Sequence, residues 1–187
     1  MGQFIFTKTP LEGLTVIEPK VFADERGYFF EGYNKADFEN NGIFADFVQD
    51  NESRSVKGVL RGLHFQKEHP QGKLISVTKG AVFDVAVDIR STSPTFGLWF
   101  ALELSSENKK RLFIPAGFAH GFLALSEHVV FSYKCTDYYY PKDQDGIIWN
   151  DKDIGINWPI DGMDLILSEK DKKNQSFAEF AGKANTI

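Results

Sequence analysis

The sequence predicts an all-β fold, a sandwich or barrel of short strands, on three observations. Ala81, Phe83, Val85, Val87 and Ile89 alternate with Val82, Asp84, Ala86, Asp88 and Arg90, giving one apolar and one more polar face. Leu98, Phe100, Leu102 and Leu104 repeat that period before Ser105-Ser106-Glu107-Asn108 turns the chain. Val129, Phe131, Tyr133 and Cys135 form a third set, facing away from Val130, Ser132 and Lys134. Helical patterns are few. Asn34-Lys35-Ala36-Asp37 reads as a capping box with Gly42 as a C-terminal stop, which predicts a short helix between them. Ser168-Glu169-Lys170-Asp171 reads as a second box, opening a short C-terminal helix, and residues 181–187 read as a loosely held tail.

With 187 residues, no internal repeat and no composition break, the chain reads as one domain, 1–187. A net charge of -5 argues against a general nucleic-acid binder. Cys135 is the only cysteine, so no internal disulfide can form and a reducing compartment is expected. The N-terminal residues lack a basic region followed by a long apolar run, and no stretch approaches the roughly 20 apolar residues of a membrane span. A soluble, cytoplasmic protein is expected.

The chemistry concentrates in two motifs. Arg61-Gly62-Leu63-His64-Phe65-Gln66 places an arginine and a histidine three residues apart in an apolar strand. Pro115-Ala116-Gly117-Phe118-Ala119-His120-Gly121-Phe122 supplies a second histidine in a similar setting. One histidine in an apolar strand is usually a hydrogen-bonded core residue. Two, accompanied by arginine and lysine, point to a site, because imidazole titrates nearest neutral pH and serves as a general base. His64 is the candidate base, and such a base needs a carboxylate to fix its tautomer; Asp171 is one candidate among many acids. Lys73, beyond Pro70-Gln71-Gly72, offers a cation for an enolate oxygen. Tyr133, in the apolar register of its strand, offers a phenolic proton. Arg26, Arg61, Lys73 and Lys170 suit an anionic ligand, since guanidinium forks match phosphate oxygens. Gln49-Asp50-Asn51 offers polar groups suited to a base or sugar edge.

A metal site is the competing reading. Pro115-x-Gly117-x-x-His120 and Gly62-x-His64 resemble the cupin superfamily, whose metal-binding members use a His-x-His pair. Here Gln66 stands at the second position of that pair, and amide oxygens are weak ligands for transition metals. His120 remains available as a ligand, but without a carboxylate at ligand spacing the set is poor, so no metal is expected.

Taken together, these segments resemble the dTDP-4-dehydrorhamnose 3,5-epimerase family. The resemblance is carried by Asp24-Glu25-Arg26-Gly27-Tyr28-Phe29, Phe47-Val48-Gln49-Asp50-Asn51, Leu60 to Gln66, Gln71-Gly72-Lys73-Leu74 and Val82 to Arg90. It continues through Pro115 to Phe122, Tyr133 to Tyr139, and Leu167-Ser168-Glu169-Lys170-Asp171, covering nearly the whole chain in order. It implies a metal-free, cofactor-free cupin jelly roll, a homodimer exchanging N-terminal strands, and a nucleotide-sugar substrate. His64 then matches the base, Asp171 its partner, Tyr133 the proton donor and Lys73 the cation near the 4-keto oxygen. Arg61, His120 and Lys170 match substrate contacts, and Gln49 and Asn51, flanking Asp50, match nucleotide positions. Arg26 and Glu31 match positions reaching the nucleotide or its diphosphate across a dimer interface. Tyr139 and Gln144 fall among the ligand contacts, but Gln144 stands where an acid is common, with Asp143 or Asp145 as stand-ins. The implied activity is inversion of carbons 3 and 5 of dTDP-4-dehydro-6-deoxy-D-glucose. An epimerase of one centre, a ketoisomerase, and a non-catalytic sugar-binding jelly roll are the alternatives.

Overall fold

Strands that alternate apolar and polar residues must bury one face, and here two antiparallel sheets bury theirs against each other. The computed structural model describes residues 2–184. In chain order the strands are β1 (Phe4–Lys8), β2 (Thr15–Pro19), β3 (Phe22–Asp24), β4 (Gly27–Phe29), β5 (Gln49–Ser55), β6 (Leu60–Gln66) and β7 (Lys73–Lys79). They continue as β8 (Ala81–Asp88), β9 (Trp99–Ser105), β10 (Arg111–Ile114), β11 (Phe118–Ala124), β12 (Val129–Cys135) and β13 (Gln144–Gly146). One sheet has the order β1-β2-β10-β7-β12-β5 and the other β13-β6-β11-β8-β9, while β3 and β4 form a separate hairpin. The fold is a cupin-type jelly roll, as expected, and β1 pairs with β2 of its own chain.

Three apolar clusters hold it. Between the sheets, Val16, Ile75, Val77, Leu112 and Phe131 meet Val82, Ala86, Leu104, Phe118 and Phe122. Outside the second sheet, Leu63, Phe65, Val85, Val87 and Leu123 are covered by Ile147, Ile154 and Trp158. Outside the first, Ile17, Leu74 and Phe113 are covered by Phe38 and Ile43. Strand β8 therefore has both faces buried, and its more polar face is the one turned between the sheets: Asp84 and Asp88 are both fully buried.

The first helix lies where the sequence places it. Helix α1 (Lys35–Asn40) is capped by the Asn34 side chain, which accepts from the Asp37 N–H, and Gly42 follows with φ 83°. The C-terminal expectation needs correction. Ser168 does cap Asp171, but the turn it opens is a single 3-10 turn, Asp171–Lys173. The longer helix α2 begins later, at Phe177–Ala184, where Ser176 and Glu179 form the reciprocal box. Residues 181–184 are thus helical rather than a loose tail, and residues 185–187 lie outside the described residues.

Candidate active site

The site opens between the sheets where β6, β7, β11 and β12 converge. A cleft of about 160 Å³ is lined by Arg61, His64, Lys73, His120 and Tyr133, with Ser53, Phe122 and Phe131 completing its wall. An adjoining chamber of about 290 Å³ is lined by Gln49, Asn51, Gln71, Tyr139 and Gln144, and shares Tyr133 with the cleft.

Arg61 and His64 reach the same cleft because β6 is irregular. Residues three apart on a regular strand point to opposite faces. Against β11, His120 pairs with His64 but Phe122 pairs with Arg61, so β6 carries one extra residue in that interval. Gly62 occupies the bulge with φ 125°, and a Cβ there would lie 2.5 Å from Gly121 Cα and 2.8 Å from the His120 carbonyl oxygen. Only two glycines let the strands approach this closely.

His64 meets a carboxylate from the far end of the chain. Its Nε2 lies 2.5 Å from Asp171 Oδ1, and Asp171 is 3% exposed. Burial alone would raise the Asp171 carboxyl. The bonds from His64 and Ser168 and the charges of His64 and Lys170 outweigh it, holding the carboxyl below its ordinary 3.8. With Nε2–H donated to this carboxylate, Nδ1 carries the free lone pair, and a histidine so held can accept a proton.

The opposite wall belongs to the first sheet. Tyr133 and Lys73 lie on neighbouring strands, with the Lys73 ammonium 6.0 Å from the centre of the Tyr133 ring. No hydrogen bond to another described residue engages the Tyr133 hydroxyl. Burial, reinforced by Cys135 and Tyr139 against Arg61, pushes the phenol above its ordinary 10, so it stays protonated near neutral pH. Burial pushes Lys73 the other way, below 10.5, against the pull of Cys135 and Asp84.

His120, directly opposite His64 on β11, shares its Nε2 between both oxygens of Asp84, each at 3.1 Å. Arg61 donates through Nε to Ser55 Oγ at 3.3 Å. In the chamber, Gln49 donates to Asn51 Oδ1 at 2.9 Å and accepts from the Tyr139 N–H at 3.0 Å. The Tyr139 hydroxyl donates to Gln144 Oε1 at 2.7 Å. Asp143 accepts from the Glu68 and His69 backbone N–H groups, and Asp145 pairs with Lys67. Gln144, not either neighbouring acid, is the residue of that loop lining the chamber.

Four expected contacts lie elsewhere. Asp50 alternates out of the register of Gln49 and Asn51 and binds Lys134 at 2.9 Å on the outer face of the sheet. Arg26 sits exposed on the β3–β4 hairpin against Asp24, and Glu31 accepts from Asn34. Lys170 is exposed and begins the 3-10 turn, contributing charge beside Asp171 rather than lining the cleft. Conversely, Asp84, Ser53, Gln71, Phe122 and Phe131 join the site without having been singled out. A carboxylate amid the apolar run Val82 to Val87 was the available signal for Asp84.

Gln66 is spoken for. Its amide donates to the His69 and Tyr138 carbonyls and accepts from the Tyr140 N–H, pinning the loop that carries Tyr139.

The family model for dTDP-4-dehydrorhamnose 3,5-epimerase matches residues 8–179. The dTDP-4-dehydrorhamnose 3,5-epimerase of Methanothermobacter thermautotrophicus is 58% identical over 173 residues, 92% of this chain and 94% of that protein. Among solved structures, the dTDP-4-dehydrorhamnose 3,5-epimerase of Elizabethkingia anophelis superposes with a TM-score of 0.91 at 50% identity, covering 95% of this chain and 98% of that one. The dTDP-6-deoxy-D-glucose-3,5-epimerase of Legionella pneumophila, in complex with dTDP-4-keto-L-rhamnose, superposes with a TM-score of 0.90 at 49% identity, covering 95% and 96%. With fold, cleft and near full-length similarity in agreement, this chain belongs to the dTDP-4-dehydrorhamnose 3,5-epimerase family.

Proposed function

We propose that this enzyme inverts carbons 3 and 5 of dTDP-4-dehydro-6-deoxy-D-glucose, giving dTDP-4-dehydro-L-rhamnose in dTDP-L-rhamnose biosynthesis. The observation that carries the reading is the opposition across one cleft of His64, backed by Asp171, and Tyr133, flanked by Lys73. A hydrogen next to a ketone becomes removable when a base is in reach and the enolate oxygen is stabilised. His64 removes that proton through Nδ1 while Asp171 stabilises the imidazolium. Lys73 balances the charge developing on the 4-keto oxygen. Tyr133, protonated and on the other sheet, returns a proton to the opposite ring face, which inverts the centre. Because substrate and product are isomers, the scheme calls for no redox cofactor, and no metal enters any step.

Arg61 and His120 contact the sugar in this reading, and the chamber of Gln49, Asn51, Tyr139 and Gln144 takes the nucleotide. Arg26 and Glu31 act on the nucleotide of a second protomer in a homodimer with exchanged N-terminal strands. The β3–β4 hairpin supports this, since Phe22, Tyr28 and Phe29 are exposed beside Arg26 and none of them lines the cleft. The same reading makes the whole of 1–187 one epimerase domain. It is a cytoplasmic protein without membrane or nucleic-acid partners, in keeping with its net charge of -5.

Incubating the enzyme with dTDP-4-dehydro-6-deoxy-D-glucose in deuterium oxide tests the assignment. Deuterium at both carbons of an inverted product is expected. Exchange at a single carbon would make it a one-centre epimerase, and no exchange would leave only a binding protein.

A further inference from the structure

The 2.5 Å contact between His64 and Asp171 joins residues 107 apart in the chain. Asp171 stands at the head of a single 3-10 turn, Asp171–Lys173, and one turn of that length does not hold its own position. What fixes it is the segment that follows. Asn174 covers Gly146 so closely that a Cβ there would lie 2.6 Å from Asn174 Nδ2, and Gly146 is the β13 partner of His64. Gln175 bridges Ile147, and its carbonyl accepts from the Ile148 N–H at 2.8 Å. Ile147 in turn exchanges both backbone hydrogen bonds with Leu63, at 3.0 and 3.1 Å. On α2, Phe180 packs edge-on against Phe65, with ring centres 5.1 Å apart. The chain beyond Asp171 is thus laid against β6 and its neighbour on either side of His64.

One buried carboxylate holds the far end of that segment. Asp151, 8% exposed, accepts from the Phe177 N–H through Oδ2 at 2.8 Å, a contact across 26 residues. Its Oδ1 accepts from the Asp153 and Ile154 N–H groups at 3.0 and 3.1 Å, which shapes its own loop. Three backbone N–H groups thus compensate a carboxylate removed from water. Asp151 does not line the cleft; its loop clads the outer face of the second sheet through Ile154 and Trp158. We propose that Asp151 is a positioning residue for the His64–Asp171 pair: by holding the first N–H of α2 it clamps residues 174–177 in place and so keeps Asp171 at His64 Nε2. This deepens the epimerase reading, on which only its effect on rate rests.

Asp151→Asn separates the two tasks. Its amide oxygen still accepts from Asp153 and Ile154, as an Asx turn does, but its NH2 group then faces the Phe177 N–H, donor against donor. The ring nitrogens of His64, assigned by their loss in His64→Asn, are followed by nitrogen NMR at about pH 8.5, where a free imidazole is neutral. Wild type should show one tautomer, with the proton on Nε2, and in Asp151→Asn the two shifts should converge as both tautomers become populated. The kcat should fall about tenfold or more with KM little changed, since a misplacement of about 1 Å can cost roughly 10²-fold. In the Asp171→Asn enzyme, adding Asp151→Asn should lower kcat no further, because both changes act through one contact. Wild-type nitrogen shifts in a folded Asp151→Asn protein overturn the proposal whatever its rate, and so do losses that multiply in the double variant. Converged shifts with unaltered turnover uphold the clamp, while removing the dyad from the rate-determining step. If Asp151→Asn does not fold, Asp151→Ser, which can cap its own loop but not reach Phe177, gives the same readout.

Discussion

Replacing Asp171 with asparagine isolates the charge of the His64 partner, because the two side chains share shape and volume. The cap that shapes the turn is a backbone contact, Asp171 N–H to Ser168 Oγ at 3.0 Å, and it survives the change. What changes is the 2.5 Å contact to His64 Nε2. If the amide oxygen faces the ring, the tautomer is kept but the imidazolium formed by proton abstraction loses its counter-charge. If the amide nitrogen faces it, the ring proton moves to Nδ1 and the basic lone pair points away from the cleft. Either outcome removes general-base assistance, which contributes roughly 10²- to 10⁴-fold. At 1.36 kcal/mol per decade that is about 3 to 5 kcal/mol of barrier. The loss should fall on kcat and kcat/KM alike, since the charge is felt when the proton moves rather than when sugar binds. Stability supplies an independent check. The Asp171 carboxyl is held below 3.8, so its stabilising contribution is complete above about pH 4 and fades as pH falls through the lower folded value. Urea unfolding should therefore show Asp171→Asn less stable than wild type at pH 7, with the gap narrowing as pH falls below the ordinary carboxyl value of 3.8. A folded Asp171→Asn enzyme turning over within twofold of wild type would refute the assignment of the dyad.

Two further variants test the other wall and the bulge. Tyr133→Phe deletes a hydroxyl without a hydrogen-bond partner among the described residues and keeps the tilted ring contact with Phe131, so it should retain hydrogen exchange with solvent while yielding little doubly inverted product. Wild-type inversion of both centres, read by parallel deuterium NMR and product stereochemistry, would make the tyrosine structural. Gly62→Ala places a methyl 2.5 Å from Gly121 Cα at φ 125° and should cost about 2 to 4 kcal/mol in urea unfolding. Unaltered stability would mean that β6 and β11 need no such approach.

The sandwich was legible because β8, β9 and β12 bury apolar residues every second position, which is a local pattern. Strand β5 escaped notice for the reason that makes it useful. Its inward residues, Gln49, Asn51 and Ser53, face a polar chamber and cleft, so no apolar alternation marks it. For the same reason Asp50 could not be separated from its neighbours until the register was known. The period of two also mispoints β6, where the bulge at Gly62 brings Arg61 and His64 to one face. The His64–Asp171 contact spans 107 residues of chain, beyond the reach of any local periodicity, and only the resemblance singled Asp171 out from the other acids. The C-terminal boundary was misjudged because two capping boxes lie eight residues apart. The first, at Ser168, closes a turn that presents Asp171, and the second, at Ser176, starts the helix.

The placement of charge explains how one cleft can hold a base and an acid without their neutralising each other. His64 and Asp171 form their pair at the second sheet, so the negative charge that activates the histidine is buried there at 3% exposure. Tyr133 and Lys73 project from the first sheet, where burial favours the protonated phenol but opposes the ammonium. One low-dielectric environment thus helps the acid and harms the cation, and the charges of Cys135 and Asp84 only partly oppose that harm. Such a set of polar groups interrupts the core between the sheets, and burying charge is costly even when it is paired. The fold offsets that cost on its outer faces. Trp158 and Ile154 cover one sheet, and Phe38 and Ile43 cover the other. With both sheets clad on the outside, the space between them can carry chemistry at one end and remain apolar at the other.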